Sequence, residues 1–176
     1  MIYVLSGPVH AGKTTLLKKL VTALKKNNIP VYGYLSLSLR EDHYIKGYDL
    51  YDIRSDTIFP FIRRKGHPEW EKIGSFFFRP AALDKAKKII LKACKKRGLC
   101  IVDEIGPLEL SGKGIWPAVQ KALAVKSSQM DFLFVIREGL VDVFIERPGF
   151  TPDKIFPFQK ESILLPELEN SLIIKP

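Results

Sequence analysis

Three short stretches carry residues able to handle a phosphoanhydride. The first is Gly7-Pro8-Val9-His10-Ala11-Gly12-Lys13-Thr14, followed by Thr15. It matches the phosphate-loop pattern G-x-x-x-x-G-K-[ST] at every fixed position. Backbone N–H groups along residues 7–15 would form a nest for phosphate oxygens, with glycine at 7 and 12 where a Cβ would block close approach. Lys13 would reach the β- and γ-phosphates, and the Thr14 hydroxyl would ligate Mg²⁺. His10 is expected to face outward from the loop. The second stretch is Asp103-Glu104, closing the apolar run Leu99-Cys100-Ile101-Val102. Asp103 would hold Mg²⁺, directly or through water. Glu104 would act as general base on the attacking water, provided it lies within hydrogen-bond reach. Adjacent acids at a strand end can divide these tasks because their side chains diverge.

The third candidate is Arg137, at the end of the apolar run Phe132–Ile136. If that strand lies between the other two, Arg137 would point toward the γ-phosphate and stabilise transition-state charge from within the chain. The plainer reading is a surface arginine at a strand end. Arg40, Arg63, Arg64, Arg79 and Arg147 are alternatives among which the sequence does not choose. Glu109 either orients the loop after the acids or caps a helix starting at 115. Asp103-Glu104-Ile105-Gly106 fits a weak D-x-x-G pattern, but N-K-x-D is absent, so guanine selectivity has no support.

Elements must bring these stretches together. Ile2-Tyr3-Val4-Leu5 reads as a strand into the glycine loop, and 13–27 as a helix whose Leu17, Leu20, Val21 and Leu24 form one apolar stripe. Period-two alternation over Val31–Arg40 and Tyr44–Ile53 predicts a β-hairpin, with Thr57–Arg63 as a further strand and Pro60 marking an edge or bulge. Residues 64–72 read as a loop and Ile73–Phe78 as a strand. The pattern then predicts a helix over Ala81–Arg97 stopped by Gly98, a strand to Glu104, and a glycine-rich loop over 105–114. Beyond it come a helix over Ile115–Ser127, the strand 132–136, and a short helix over Glu138–Glu146 ended by Pro148-Gly149. A strand over Lys154–Phe158 and a helix over 160–170 containing Pro166 close the chain. Strands alternating with helices imply an α/β fold: a mostly parallel sheet with helices on both faces and an antiparallel insertion at 31–63.

The 176 residues suit one domain, 1–176, with a sizeable core. No apolar run reaches membrane-spanning length and the start is a strand rather than a leader, so a cytoplasmic protein is expected. Cys94 and Cys100 lack matching partners and read as buried free thiols. Lysine and arginine number 28 against 19 acids, a net charge of +9. That leaves a nucleic-acid partner open, but the lysines recur on helix faces (Lys18, Lys19, Lys25, Lys26; Lys87, Lys88, Lys92, Lys95, Lys96), which favours solvated surfaces.

Taken with these motifs, the chain resembles the Thep-type P-loop nucleoside-triphosphatases. The matching pieces are GPVHAGKTTL at 7–16, IPVYGYLS at 29–36, IKGYDL at 45–50, IGSFFF at 73–78 and, most specific, IVDEIGPLEL at 101–110. KIFPFQKESILLPEL at 154–168 is a weaker match. The resemblance implies a RecA-like sheet and Mg²⁺-dependent hydrolysis of nucleoside triphosphates, ATP and GTP among them, to diphosphate and phosphate, with loose base selectivity. It carries Gly7, Gly12, Lys13 and Thr14 onto phosphate and metal roles, and Asp103 and Glu104 onto metal and water roles. The chain departs from the family at Leu35–Leu39, at Ile136-Arg137 and at Glu161-Ser162-Ile163. Two rival readings use the same loop: a nucleotide or small-molecule kinase with its acceptor under the hairpin, and a nucleotide-dependent binding module with little turnover.

Overall fold

The computed structural model describes residues 1–125, 129–147 and 150–173. In chain order the elements are β1 (Ile2–Gly7), α1 (Lys13–Lys26), β2 (Val31–Glu41), β3 (Tyr44–Asp52), β4 (Thr57–Arg63), β5 (Glu71–Ile73), β6 (Phe76–Phe78) and α2 (Pro80–Ala93). They continue with β7 (Gly98–Ile105), α3 (Pro107–Leu110), α4 (Trp116–Ala124), β8 (Met130–Arg137), α5 (Val141–Ile145), β9 (Lys154–Pro157) and α6 (Glu161–Ile173).

All these strands join one sheet in the order β5-β6-β4-β3-β2-β7-β8-β1-β9. Strands β2, β7, β8, β1 and β9 run parallel, and β3, β4, β6 and β5 extend the sheet antiparallel. The parallel strands are covered on both faces, which is why their sequences read as continuous apolar runs. Leu16, Leu17, Leu20 and Leu24 of α1 pack with Leu164 and Leu168 of α6 on one face, against Leu5, Ile101 and Val135. Ala86 and Ile90 of α2 pack with Trp116 and Val119 of α4 on the other, against Cys100, Val102 and Phe134. Cys94 and Cys100 are buried free thiols. The helix lysines named above stand mostly in solvent. Among the described residues no helix is long and apolar enough to cross a membrane.

Several boundaries differ from the sequence expectations. The antiparallel part runs past residue 63 to Phe78. What reads as one strand over 73–78, after a loop, is a hairpin of β5 and β6 turning at Gly74-Ser75. Of the edge or bulge expected at Pro60 the bulge is present, with the register jumping from Tyr48–Ile62 to Asp49–Pro60, while β4 is an inner strand between β6 and β3. Helix α2 ends at Ala93, short of Arg97. Gly98 does not stop it: at φ +134° it opens β7, and a Cβ there would lie 2.2 Å from the Pro30 carbonyl oxygen. The glycine marks close approach of backbones, not a helix cap. The 105–114 loop contains the one-turn helix α3. Helix α6 runs on through Pro166 to Ile173. Helix α5 is shorter than expected, and Pro148-Gly149 and Ser127 lie outside the described residues.

Candidate active site

Register places the three motifs at one edge of the sheet. Strand β8 lies between β1 and β7, with Gly7 opposite Arg137 and Asp103 opposite Val135. The loop after β1, the acids ending β7 and Arg137 ending β8 therefore share the carboxyl edge, where open α/β sheets bind ligands. A cleft of about 690 Å³ opens there, lined by Lys13, Thr14, Asp103, Glu104 and Arg137.

The loop geometry follows from its residues. Gly7 lies against Phe158, where a Cβ would sit 2.4 Å from that residue's Cβ. Gly12 caps α1 at φ +99°, a left-handed conformation that turns the backbone into the helix. His10 is also left-handed, at φ 65°, and exposed. Val9, His10, Gly12 and Thr15 line the cleft with Lys13 and Thr14, and the Ala11 N–H donates to the Pro8 carbonyl at 3.4 Å. Lys13 is only 6% exposed. Its ammonium donates to the loop's own carbonyls, Gly7 at 2.9 Å and Pro8 at 2.6 Å. Burial lowers its pKa, opposed by the nearby carboxylates of Glu104 and Asp103.

Asp103 is 2% exposed and tightly held. Its Oδ2 accepts from the Thr14 hydroxyl at 2.9 Å and from the Ser36 backbone N–H at 3.2 Å. The Ser36 hydroxyl donates to the Asp103 carbonyl. Burial, reinforced by Glu104, pushes the Asp103 pKa up to about 7, against the lowering pull of Thr14, Ser36 and Lys13. A buried carboxylate beside a hydroxyl is a hard-oxygen donor pair. Mg²⁺ suits such a pair, since it takes one or two protein oxygens and completes its shell with phosphate and water. Among the described residues no group of three or more His, Cys, Asp or Glu forms a self-contained metal cage.

Glu104 diverges from Asp103 into the cleft. Its Oε1 accepts from Arg137 Nη2 at 2.8 Å, in a pair that is partly exposed. The Arg137 Nε is buried and has no acceptor among the described residues. The other arginines separate clearly. Arg63 is engaged by Asp49 and the Tyr48 carbonyl, Arg64 by the Ile45 carbonyl and the Phe76 ring, and Arg147 by the Leu110 carbonyl and Trp116. Arg79 caps α2. Only Arg40 joins Arg137 along the cleft.

Glu109 performs both roles considered for it. One oxygen accepts from Gly106 N at 3.0 Å, bracing the turn after the acids, and the other accepts from Ile115 N at 3.3 Å, ahead of α4. Ser36 was invisible as a site residue in the sequence: its run Leu35–Leu39 alternates like any hairpin strand. It lies two residues past Tyr34, where β2 stops pairing with β7, and there its N–H meets the Asp103 carboxylate.

Known proteins align with this architecture. A family model described as NTPase matches residues 2–162. The cancer-related nucleoside-triphosphatase homolog of Bos taurus is 26% identical over 176 residues, spanning 93% of this chain and 92% of its own. Nucleoside-triphosphatase THEP1 of Ignicoccus hospitalis is 30% identical over 153 residues, spanning 86% and 84%. The crystal structure of THEP1 from the hyperthermophile Aquifex aeolicus superposes with a TM-score of 0.75 over 98% of this chain and 99% of that one. At 21% identity that is a likeness of fold. The match of the family model over nearly the whole length places the chain in the NTPase family.

Proposed function

We propose that this protein is a nucleoside-triphosphatase, cleaving the β–γ anhydride of nucleoside triphosphates by attack of water. One observation carries the reading: Lys13 and Thr14, Asp103 and Glu104, and Arg137 come from three adjacent strand ends and line one cleft. The strand between the loop strand and the acid strand supports a RecA-like P-loop arrangement, with 1–176 as one domain.

In this reading the backbone N–H groups of residues 7–15 and the α1 N-terminus hold the β- and γ-phosphates. Lys13 exchanges its loop carbonyls for phosphate oxygens. Thr14 and Asp103 hold Mg²⁺, which, when bound, neutralises charge on those oxygens. Asp103 is preset for this by Thr14 and Ser36. Glu104 accepts a proton from the attacking water, and Arg137 turns from Glu104 toward the charge developing on the γ-phosphoryl group. The base contributes little to this chemistry, which supports loose selectivity among ATP, GTP, CTP and UTP.

The test is phosphate release from the four triphosphates with Mg²⁺. Turnover on all four is expected, falling roughly 100-fold or more in Glu104→Gln with binding retained. Equal rates in parent and variant would remove Glu104 as the base.

A further inference from the structure

We propose that the cleft beside the γ-phosphate position is a second substrate site, and that it takes a nucleoside whose hydroxyl accepts the γ-phosphoryl group. The inference rests on the nucleotide reading of residues 7–15 and adds an acceptor other than water.

The shape of the cleft is the first reason. Water as nucleophile requires no chamber, yet the cleft runs from Thr14 past Glu104 to an apolar wall of Tyr34, Phe61, Phe78, Leu83, Leu108 and Ile115. The cleft as a whole, phosphate-loop residues included, holds about 690 Å³, within the range of small-molecule sites. The wall is ring-rich. Phe61 stands edge-on to Tyr34 at 6.3 Å and to Phe78 at 6.1 Å, a lining suited to a flat ring.

Tyr34 is the second reason. It is 1% exposed, and its hydroxyl makes no hydrogen bond with any described residue. The hydroxyl is not sealed in the core but borders the cleft, so a ligand there can reach it. Burial and the neighbouring Glu109 and Asp103 carboxylates hold this phenol protonated, so it offers a donor. A heteroaromatic base with ring nitrogens or carbonyls on its edge supplies the matching acceptor, which a plain hydrocarbon ring does not. Nearer the opening, Ser38, Ser75 and Arg40 present polar groups of the kind that hold a sugar.

The third reason is that Glu104 lines the same cleft, so it can serve an alcohol as it serves water. In the transfer, the nucleoside hydroxyl oxygen bonds to the γ-phosphorus. The bond from γ-phosphorus to the β–γ bridging oxygen breaks, and its electron pair leaves on the diphosphate. The hydroxyl proton passes to the Glu104 carboxylate. The products are nucleoside diphosphate and nucleoside monophosphate.

The experiment loads the protein with AMPPNP and Mg²⁺, so that the donor position is filled, and titrates adenosine, guanosine, cytidine and uridine by calorimetry. At least one is expected to bind one to one. With ATP as donor, that nucleoside should make diphosphate formation exceed phosphate release, the difference appearing as monophosphate. Tyr34→Phe, which keeps the ring and removes the hydroxyl, should weaken nucleoside affinity about tenfold. Leu83→Phe, which fills the chamber from α2, should weaken it independently. If AMPPNP binds and ATP is hydrolysed but no nucleoside binds, the proposal falls while the nucleotide reading stands. Nucleoside binding with diphosphate and phosphate still equal also overturns it, as does unchanged nucleoside affinity in Tyr34→Phe. Failure of AMPPNP to bind at all would overturn both readings together.

Discussion

Replacing Glu109 by alanine removes one carboxylate and strips two buried backbone N–H groups, those of Gly106 and Ile115, of their acceptor. A buried donor left unpaired costs about 1–3 kcal/mol, so the gross loss is about 2–6 kcal/mol. The Ile115 bond, at 3.3 Å, is the longer and belongs at the low end. Part of the loss is offset. Burial raises the Glu109 pKa, so the carboxylate itself is held at a cost that alanine no longer carries. The expected net destabilisation is about 2–4 kcal/mol. Glutamine keeps one oxygen but turns an NH₂ toward the other donor, so Glu109→Gln should lose about 1–3 kcal/mol. Gly114→Ala attacks the same carboxylate from outside: its Cβ would sit 2.2 Å from Glu109 Oε1, on a backbone at φ +59°. It should therefore resemble Glu109→Ala.

Urea unfolding reads the stability, and steady-state hydrolysis reads the site. Gly106 follows Glu104 by two residues, so a loosened turn should lower kcat more than it raises KM. An alanine variant within about 0.5 kcal/mol of the parent, with kcat unchanged, would refute the bracing role. So would a Gly114→Ala protein as stable and active as the parent.

Two further outcomes follow from the buried ionisable groups. Lys13→Ala should weaken triphosphate binding by roughly 100-fold or more, yet change stability little, because its two carbonyl bonds are offset by the cost of burying the ammonium. Fluorescent nucleotide titration checks the first half and thermal unfolding the second; undiminished affinity would sink the phosphate-loop assignment. Asp103 has a folded pKa of about 7 against an ordinary 3.8, so it binds its proton more tightly folded than unfolded. Its contribution to stability therefore declines as pH rises from about 4 to about 7 and is level above that. Asp103→Asn should accordingly stabilise the metal-free protein more at pH 8 than at pH 5. Protonation also competes with the metal, so the gain in AMPPNP affinity from Mg²⁺ should shrink about tenfold from pH 8 to pH 6. Asp103→Asn, which retains only the nucleotide's own titration, gives the baseline; the same pH dependence in that variant would exclude Asp103 as the metal ligand.

Local signals in the sequence were sufficient where chemistry and backbone coincide. The glycine loop is a contiguous pattern, and the acids close an apolar strand, so both could be read and were found at the same sheet edge. The position of Arg137 depended on strand order, which periodicity does not carry. It became definite only once β8 lay between β1 and β7. Ser36 and Tyr34 were missed for a related reason. They lie where β2 changes partners, parallel to β7 through Tyr34 and antiparallel to β3 from Tyr34 onward. Alternation looks the same in both pairings. Gly98 misled because a glycine after a helix usually signals a cap, whereas here the close approach of Pro30 demands it.

The two adjacent acids are held in opposite ways, and the difference suits different work. Asp103 is buried and gripped by Thr14 and Ser36, so moving it would leave several polar groups unmet at once. Glu104 has a single ion pair with Arg137, with side chains 28% and 39% exposed. A pair that open contributes about 0–1 kcal/mol after solvent screening. Exchanging it for a phosphate contact therefore costs little, and the buried, unpartnered Arg137 Nε leaves the guanidinium with donor capacity that Glu104 does not use. The rigid acid fits an ion that requires a fixed position. The loosely tethered acid fits a base that must release its arginine before it can take a proton. A sequence that reads only Asp-Glu thus encodes two mechanical behaviours, set by which side chain the end of β7 turns inward and which it turns into the cleft.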